Sequence, residues 1–156
     1  MTPPIKLEVP GTETKMFSEL VLDYTGTLSL DGTLLPGVTK RLEALAKILR
    51  IAVLTADTFG KAKGQLAGLP VEVRIVKTGQ DKAEFVKNLG AEHVIAIGNG
   101  RNDIPMMALA GLRIAVIGRE GAAGELLGAA DVVTRDICDA LDLITNPLRL
   151  KATLRD

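Results

Sequence analysis

The string Asp23-Tyr24-Thr25-Gly26-Thr27-Leu28 follows the apolar run Leu20-Val21-Leu22, which sets a carboxylate where a buried strand opens into a loop. A carboxylate so placed can attack phosphorus and form an aspartyl phosphate, splitting one difficult transfer into two easier ones. Gly26 lets the backbone turn closely round phosphoryl oxygens, and the Thr27 hydroxyl can hold the loop. The same letters also describe an ordinary Asp-containing turn at the end of a strand.

Three more polar groups stand near it in kind. Thr55 follows Leu54, and its hydroxyl can bond a transferring phosphate beside the amides of a helix start; Thr55 or Asp57 serves equally well as the N-cap of that helix. A phosphoryl group needs a cation, and Lys82, in the first turn of a helix expected from about Gln80, competes for that part with Lys77, unless each is a solvated surface lysine. Gly98-Asn99-Gly100-Arg101-Asn102-Asp103 follows Ile97, and its oxygens can face Asp23 and help hold Mg2+, which takes a few carboxylate or carbonyl ligands and keeps several waters. An Asn-Gly turn with Asp103 near a helix N-terminus accounts for those letters too.

The elements that must position these groups alternate. Strands are expected at 20–22, 51–54, 71–76, 93–97, 114–117 and 131–134, and helices over 38–49, after Thr58, and over 80–89, 104–110, 121–129 and 136–144. Strands separated by helix-sized connections imply right-handed crossovers, so the fold class is α/β: a doubly wound, mainly parallel sheet with helices on both faces. Ligands of such sheets sit beyond the carboxyl ends of the strands, where Asp23, Thr55 and the 98–103 segment all fall. Ile5, Leu7 and Val9 alternate as an edge strand would, and the tail after Pro147 reads as a short extra helix or a frayed end.

At 156 residues the chain is expected to form one domain over 1–156. Aromatic residues make up only 3%, so Ala, Val, Ile and Leu must build the core. Nineteen basic and 19 acidic residues leave no net charge to draw the chain to nucleic acid or anionic lipid. The leading MTPPIKLEVPG has prolines and charges in place of an apolar signal core, and no run reaches a membrane span, so a cytoplasmic protein is expected. Cys138 excludes an internal disulfide and reads as a small, largely buried residue. His93, at the start of a strand and away from the active edge, reads as structural, as do Met106-Met107 and the Gly/Ala-rich 121–130 stretch as helix packing.

Together the four elements resemble the motifs of the haloacid dehalogenase superfamily over nearly the whole chain, with Asp-x-Thr-Gly-Thr and Gly-x-Gly-x-Asn-Asp most similar to the phosphorylation domain of P-type ATPases. The resemblance implies a Rossmann-like fold with Asp23 as phosphorylated nucleophile, the Thr25 carbonyl, Asn99 and Asp103 with Asp23 as the Mg2+ ligands, and Thr55, Gly26 and Lys82 around the phosphate; it favours Lys82 over Lys77. Most phosphatases of the superfamily carry an Asp general acid and base where this chain has Thr25, as the pumps do, so hydrolysis is expected to be slow. Asn99 replaces the family's first fourth-motif Asp, which weakens the expected Mg2+ site.

Thirty-one residues lie between Asp23 and Thr55 and 26 between Thr55 and Lys82, too few for a cap domain once the sheet's own helices are counted. Capless relatives either take large substrates or cover the site with a neighbouring subunit, so the expected partners are a small or larger phosphorylated substrate and a homo-oligomeric copy. The leading reading is a Mg2+-dependent phosphohydrolase acting through an aspartyl phosphate. The alternative is a noncatalytic, regulatory phosphate-binding protein. A plain nucleotide-binding domain is disfavoured because GxGxxG is absent after the first strand.

Overall fold

Apolar residues of opposite parity along each strand divide the interior into two layers. In the computed structural model, which describes residues 3–156 and leaves Met1 and Thr2 of the leading segment outside, Leu20 and Leu22 join one core cluster while Val21 between them joins the other. The chain runs β1 (Ile5–Leu7), β2 (Lys15–Phe17), β3 (Glu19–Asp23), β4 (Ser29–Leu30), β5 (Thr33–Leu34), α1 (Val38–Leu45), β6 (Arg50–Thr55), α2 (Ala62–Gln65) and β7 (Glu72–Ile75). It continues through α3 (Gly79–Leu89), β8 (Val94–Gly98), α4 (Ile104–Leu109), β9 (Leu112–Val116), α5 (Gly124–Ala129), β10 (Val132–Thr134), α6 (Ile137–Thr145) and α7 (Pro147–Leu154).

Six strands form one sheet in the order β10-β9-β8-β3-β6-β7, every neighbouring pair parallel. Helices α1, α6 and α7 contribute Val38, Leu42, Leu141 and Leu150 to the layer under Leu20 and Leu22. Helices α3, α4 and α5 contribute Val86, Met106, Met107 and Leu126 to the layer under Val21. Each such side chain taken wholly out of water contributes about 1.5–3 kcal/mol before entropy is counted. Strand β3 is central, and the chain fills β6 and β7 on one side of it before returning to β8 on the other, so the winding reverses between β3 and β8. A crevice opens at such a reversal, beyond the carboxyl ends of the two strands.

Several expectations change. Helix α1 stops at Leu45, because residues 47 and 48 bond three residues back and tighten the chain, yet Leu49 still reaches the core at the spacing a helix would give. After Thr58 only the four residues of α2 are helical, in a stretch holding Gly60, Gly64 and Gly68. Residues 5–7 do not edge the main sheet; β1 pairs antiparallel with β2 in a separate ribbon that packs Leu7 and Phe17 into the α7 layer. Of the 121–130 stretch only Leu126 is buried. His93 lies in a turn of 3-10 helix, exposed, with Nδ1 3.0 Å from the Met16 carbonyl. Cys138 is half-buried at the start of α6, and the tail after Pro147 is helical as α7.

Candidate functional site

Strand alternation explains why a helix serves the first carboxylate. Asp23 shares its parity with Val21 and pairs in register with Leu54, both residues of the α3 layer, so its side chain leaves the strand end on the α3 side. Helix α3 begins with a reciprocal cap: the Thr78 hydroxyl accepts the Asp81 amide at 3.2 Å, and the Asp81 carboxylate accepts the Thr78 and Lys77 amides at 3.0 Å. That start fixes Lys82, whose ammonium donates to Asp23 Oδ1 at 2.9 Å, Asp103 Oδ1 at 2.8 Å and Asn102 Oδ1 at 3.3 Å, with the residue 1% exposed. Lys77 is exposed and plays no part in this cluster.

Two buried carboxylates share one ammonium. Asp103, fully buried, also accepts the Asn99 and Gly100 amides at 3.1 and 2.9 Å on its other oxygen, so its charge is well met. Asp23 has fewer donors. Burial, and after it the Asp103 carboxylate, pushes the Asp23 carboxyl up to about 7, against the pull of Lys82 and Thr27. Burial also opposes the Lys82 charge, but the two carboxylates outweigh it and hold that ammonium above the ordinary lysine range.

The loop after Asp23 is tied from three sides. The Thr27 hydroxyl lies 3.2 Å from both Asp23 Oδ2 and Asn99 Oδ1, with one proton between two acceptors. Asn99 Nδ2 donates to the Gly121 carbonyl at 3.1 Å. Gly26 has φ +77°, and a Cβ on it would stand 2.3 Å from Asn99 Nδ2, so both its conformation and its neighbour require glycine. The Tyr24 hydroxyl, which burial and then Asp57 push up to about 12, donates to the Gly32 carbonyl at 2.7 Å. Gly32 tips the β4–β5 hairpin, whose Asp31-Gly32 turn, with φ 52° and 85°, is the Asp-Gly signal the sequence carried unread.

A cleft of about 440 Å3 opens over the strand ends. Asp23, Thr25, Asn99 and Asn102, the last two from the 98–103 segment, line it, together with Thr58 and Glu120, which sequence reasoning did not single out. Glu120 stands third after the apolar run 114–117, behind Gly118 and Arg119, so the rule that flagged Asp23, a polar residue immediately beyond an apolar run, does not reach it. Thr55 and Asp103, both wholly buried, and Lys82 behind Asp23 are not part of the lining. The Thr55 hydroxyl accepts the Asp57 amide at 2.8 Å, and the Asp57 carboxylate accepts the Ala62 amide at 2.9 Å, but the N-cap of α2 is Lys61, so neither Thr55 nor Asp57 caps that helix. Asp103, expected as a metal ligand, receives Lys82 on Oδ1 and the Asn99 and Gly100 amides on Oδ2. Among the described residues no three His, Cys, Asp or Glu side chains are placed to hold a metal ion. No helix among them is long and apolar enough to cross a membrane. Hairpin β4–β5 and α1 fill the connection from β3 to β6, and α2 and β7 that from β6 to α3, so neither carries a cap.

Residues 54–140 match the family model described as haloacid dehalogenase-like hydrolase. An uncharacterised protein of Methanocaldococcus jannaschii is 49% identical over 73 residues, 47% of this chain and 78% of its own length. A structure from Streptomyces avermitilis, described as a HAD family hydrolase, superposes with TM-score 0.67 at 25% identity, covering 84% of each chain. The cobalt-bound deoxy-D-mannose-octulosonate 8-phosphate phosphatase of Haemophilus influenzae superposes with TM-score 0.67 at 21% identity over 87% of this chain and 90% of its own. The Moraxella catarrhalis 3-deoxy-D-manno-octulosonate 8-phosphate phosphatase, in complex with magnesium ion, phosphate ion and KDO, gives TM-score 0.62 at 16% identity over 88% and 91%. The last two likenesses are of fold.

Proposed function

The chain belongs to the haloacid dehalogenase-like hydrolases, and on that premise we propose that it is a Mg2+-dependent phosphatase working through an aspartyl phosphate on Asp23. The observation that carries the reading is the buried Lys82 ammonium held between Asp23 and Asp103 at the reversal of the sheet. An ammonium fixed beside Asp23 can meet the phosphoryl charge by exchanging one of its present bonds for a phosphoryl oxygen, and such charge stabilisation lowers a barrier.

The phosphoryl group of a substrate lies in the cleft with phosphorus facing Asp23. An Asp23 oxygen bonds to phosphorus as the ester bond breaks, its electron pair stays on the leaving oxygen, and that oxygen takes up a proton to leave as the alcohol. Lys82 is shared with the phosphoryl oxygens, and the Gly26 turn brings backbone amides near them. Thr27 holds the other Asp23 oxygen in line. Thr55, one residue past Leu54, keeps its hydroxyl proton free to donate to the phosphate while its oxygen accepts Asp57. Water then attacks phosphorus, and the Asp23–phosphorus bond breaks to restore the carboxylate.

The donor set fits a divalent cation of modest affinity. Two buried carboxylates against one ammonium leave one negative charge to be met, and the Asp23 carboxylate, the Thr25 carbonyl and the Asn99 amide oxygen belong to residues of one cleft. Mg2+ bound by these groups would neutralise the transferring phosphoryl oxygens; Asp103 would act on it through Lys82 and the 99–100 amides rather than by contact. Thr25, which the Asp-x-Thr-Gly-Thr likeness to P-type ATPases emphasises, supplies no carboxylate for hydrolysis of the acyl phosphate. That absence favours the second reading, a regulatory phosphate-binding protein without turnover. The first reading extends to a cytoplasmic protein whose open cleft takes small or larger phosphorylated substrates, or is covered by a second subunit in a homo-oligomer.

The test is phosphate release from phosphomonoesters, including an octulosonate 8-phosphate, and from ATP and acetyl phosphate, with and without Mg2+. Release that needs Mg2+ and is abolished in Asp23→Asn is the expected result. Equal release by both proteins ends the reading.

A further inference from the structure

A phosphatase without an acid and base at position 25 must find one elsewhere in its cleft or stall at the acyl phosphate. Of the side chains that line the cleft, threonine and asparagine do not exchange a proton near neutrality, and a guanidinium does not serve as acid or base in proteins. Asp23 is the nucleophile. Only Glu120 is left. Its loop rests on the nucleophile loop: a Cβ on Gly118 would come within 3.2 Å of the Gly26 carbonyl, the Gly121 carbonyl accepts Asn99 Nδ2 at 3.1 Å, and the Asn99 carbonyl accepts the Ala123 amide at 2.8 Å. Glu120 Oε2 accepts the Asp31 amide at 3.1 Å, which fixes the carboxylate to the hairpin tip and leaves Oε1 without a partner among the described residues. The residue is exposed, so water reaches it.

We propose that Glu120 is the general acid and base of this site, taking the part that an Asp at position 25 plays in most phosphatases of the superfamily. The inference rests on the aspartyl-phosphate reading and names the group that completes it. In the first transfer the Glu120 carboxyl gives its proton to the oxygen leaving phosphorus as Asp23 bonds to it. In the second the Glu120 carboxylate takes a proton from the attacking water, the water oxygen bonds to phosphorus, and the electron pair of the broken bond returns to Asp23. Glu120 ends protonated, as it began.

A competing account makes Glu120 only a clamp for the Asp31 amide. Glu120→Gln separates the two, since glutamine keeps the acceptor and loses the base. With radiolabelled acetyl phosphate and Mg2+, the leaving acetate needs no proton, so the first transfer proceeds and only the second depends on Glu120. The expected result is a hydroxylamine-labile label that builds up on Glu120→Gln while phosphate release slows by about 10²–10⁴-fold, the usual effect of losing such a group. Adding Thr25→Asp to that variant should restore release. Release from Glu120→Gln at the native rate, which is what a clamp predicts, overturns the proposal, and so does a joint loss of label and release with a folded protein. A native protein that takes no label, or Asp23→Asn releasing phosphate as fast as native, instead removes the aspartyl-phosphate reading on which the inference stands.

Discussion

Lys82→Met removes the one cation between two buried carboxylates and keeps the length and apolar stem of the side chain. The native side chain is 2% exposed, and its ammonium makes two hydrogen bonds to carboxylates, at 2.9 and 2.8 Å, besides the one to Asn102. Each such bond contributes about 1.5–3 kcal/mol, so two give about 3–6, in line with the roughly 3–5 kcal/mol lost when one partner of a buried pair is removed. The loss depends on pH with a definite sign. Asp23 is already pushed up to about 7 by burial and Asp103, and loss of the downward pull of Lys82 moves it higher. Near pH 8 the variant must keep two facing carboxylates charged or hold a proton against solution, whereas near pH 5 Asp23 is protonated in both proteins, so the deficit shrinks by about 1.4 kcal/mol for each pH unit between the native value near 7 and the variant's higher one. Urea unfolding of both proteins at the two pH values reads this directly. A deficit under about 1 kcal/mol near pH 8, the size expected of an exposed pair, or one that is the same at both pH values would refute the electrostatic account.

Thr25→Asp places a carboxylate where the superfamily's phosphatases have one, and phosphate release from acetyl phosphate should rise, by up to about 10²-fold or more if breakdown of the acyl phosphate limits turnover. Gly26→Ala meets a φ of +77° and the Asn99 amide at once, and thermal unfolding should show a loss of at least about 1–2 kcal/mol, with activity falling alongside. In metal-free protein Asp23, raised to about 7, stays protonated after the unfolded chain has released its proton, so stability should fall as pH rises towards 7, and Asp23→Asn should flatten that slope in a titration followed by circular dichroism. Millimolar Mg2+ should raise the melting temperature above pH 7 in the native protein and leave Asp23→Asn unmoved.

The parallel sheet was legible because buried strands read as unbroken apolar runs, and Leu20-Val21-Leu22, Ile51 to Leu54 and Val94 to Ile97 stand out against a chain with few aromatics. Asp23 was legible for the same reason, since it ends one of those runs. Lys82 was harder. Its role depends on where α3 starts, which the Thr78/Asp81 cap decides, and Lys77 differs from it by only five positions. What the letters did not disclose is which oxygen of a motif faces the cleft. Asp103 and Thr55 sit at the expected strand ends, but a 3-10 turn at Arg101–Asp103 folds the Asp103 carboxylate back onto the Asn99 and Gly100 amides, and the Asp57 amide engages the Thr55 hydroxyl. Short-range backbone bonds of this kind compete with any longer-range role, and spacing alone does not rank them. The β1–β2 ribbon escaped because alternation marks a strand and says nothing of its partner.

Asn99 shows why a departure from a family pattern need not be a simple loss. Its amide spans two acceptor-donor demands of opposite sense: the oxygen receives the Thr27 hydroxyl and the nitrogen gives to the Gly121 carbonyl at 3.1 Å. A carboxylate in that position would set a second acceptor against the Gly121 carbonyl, with no proton between them, and would bring a third negative group to a cluster whose single ammonium is already shared. The neutral amide therefore ties the loop after Asp23 to the loop that carries Glu120. The consequence is a division of work within the cleft: Asp103 holds Lys82, Lys82 and Thr27 hold Asp23, and Asn99 holds Glu120's loop against Gly26. A cation would then have only Asp23 as a charged ligand, so its affinity is set by one carboxylate whose own pKa burial has raised, and proton and metal must compete for the same oxygens.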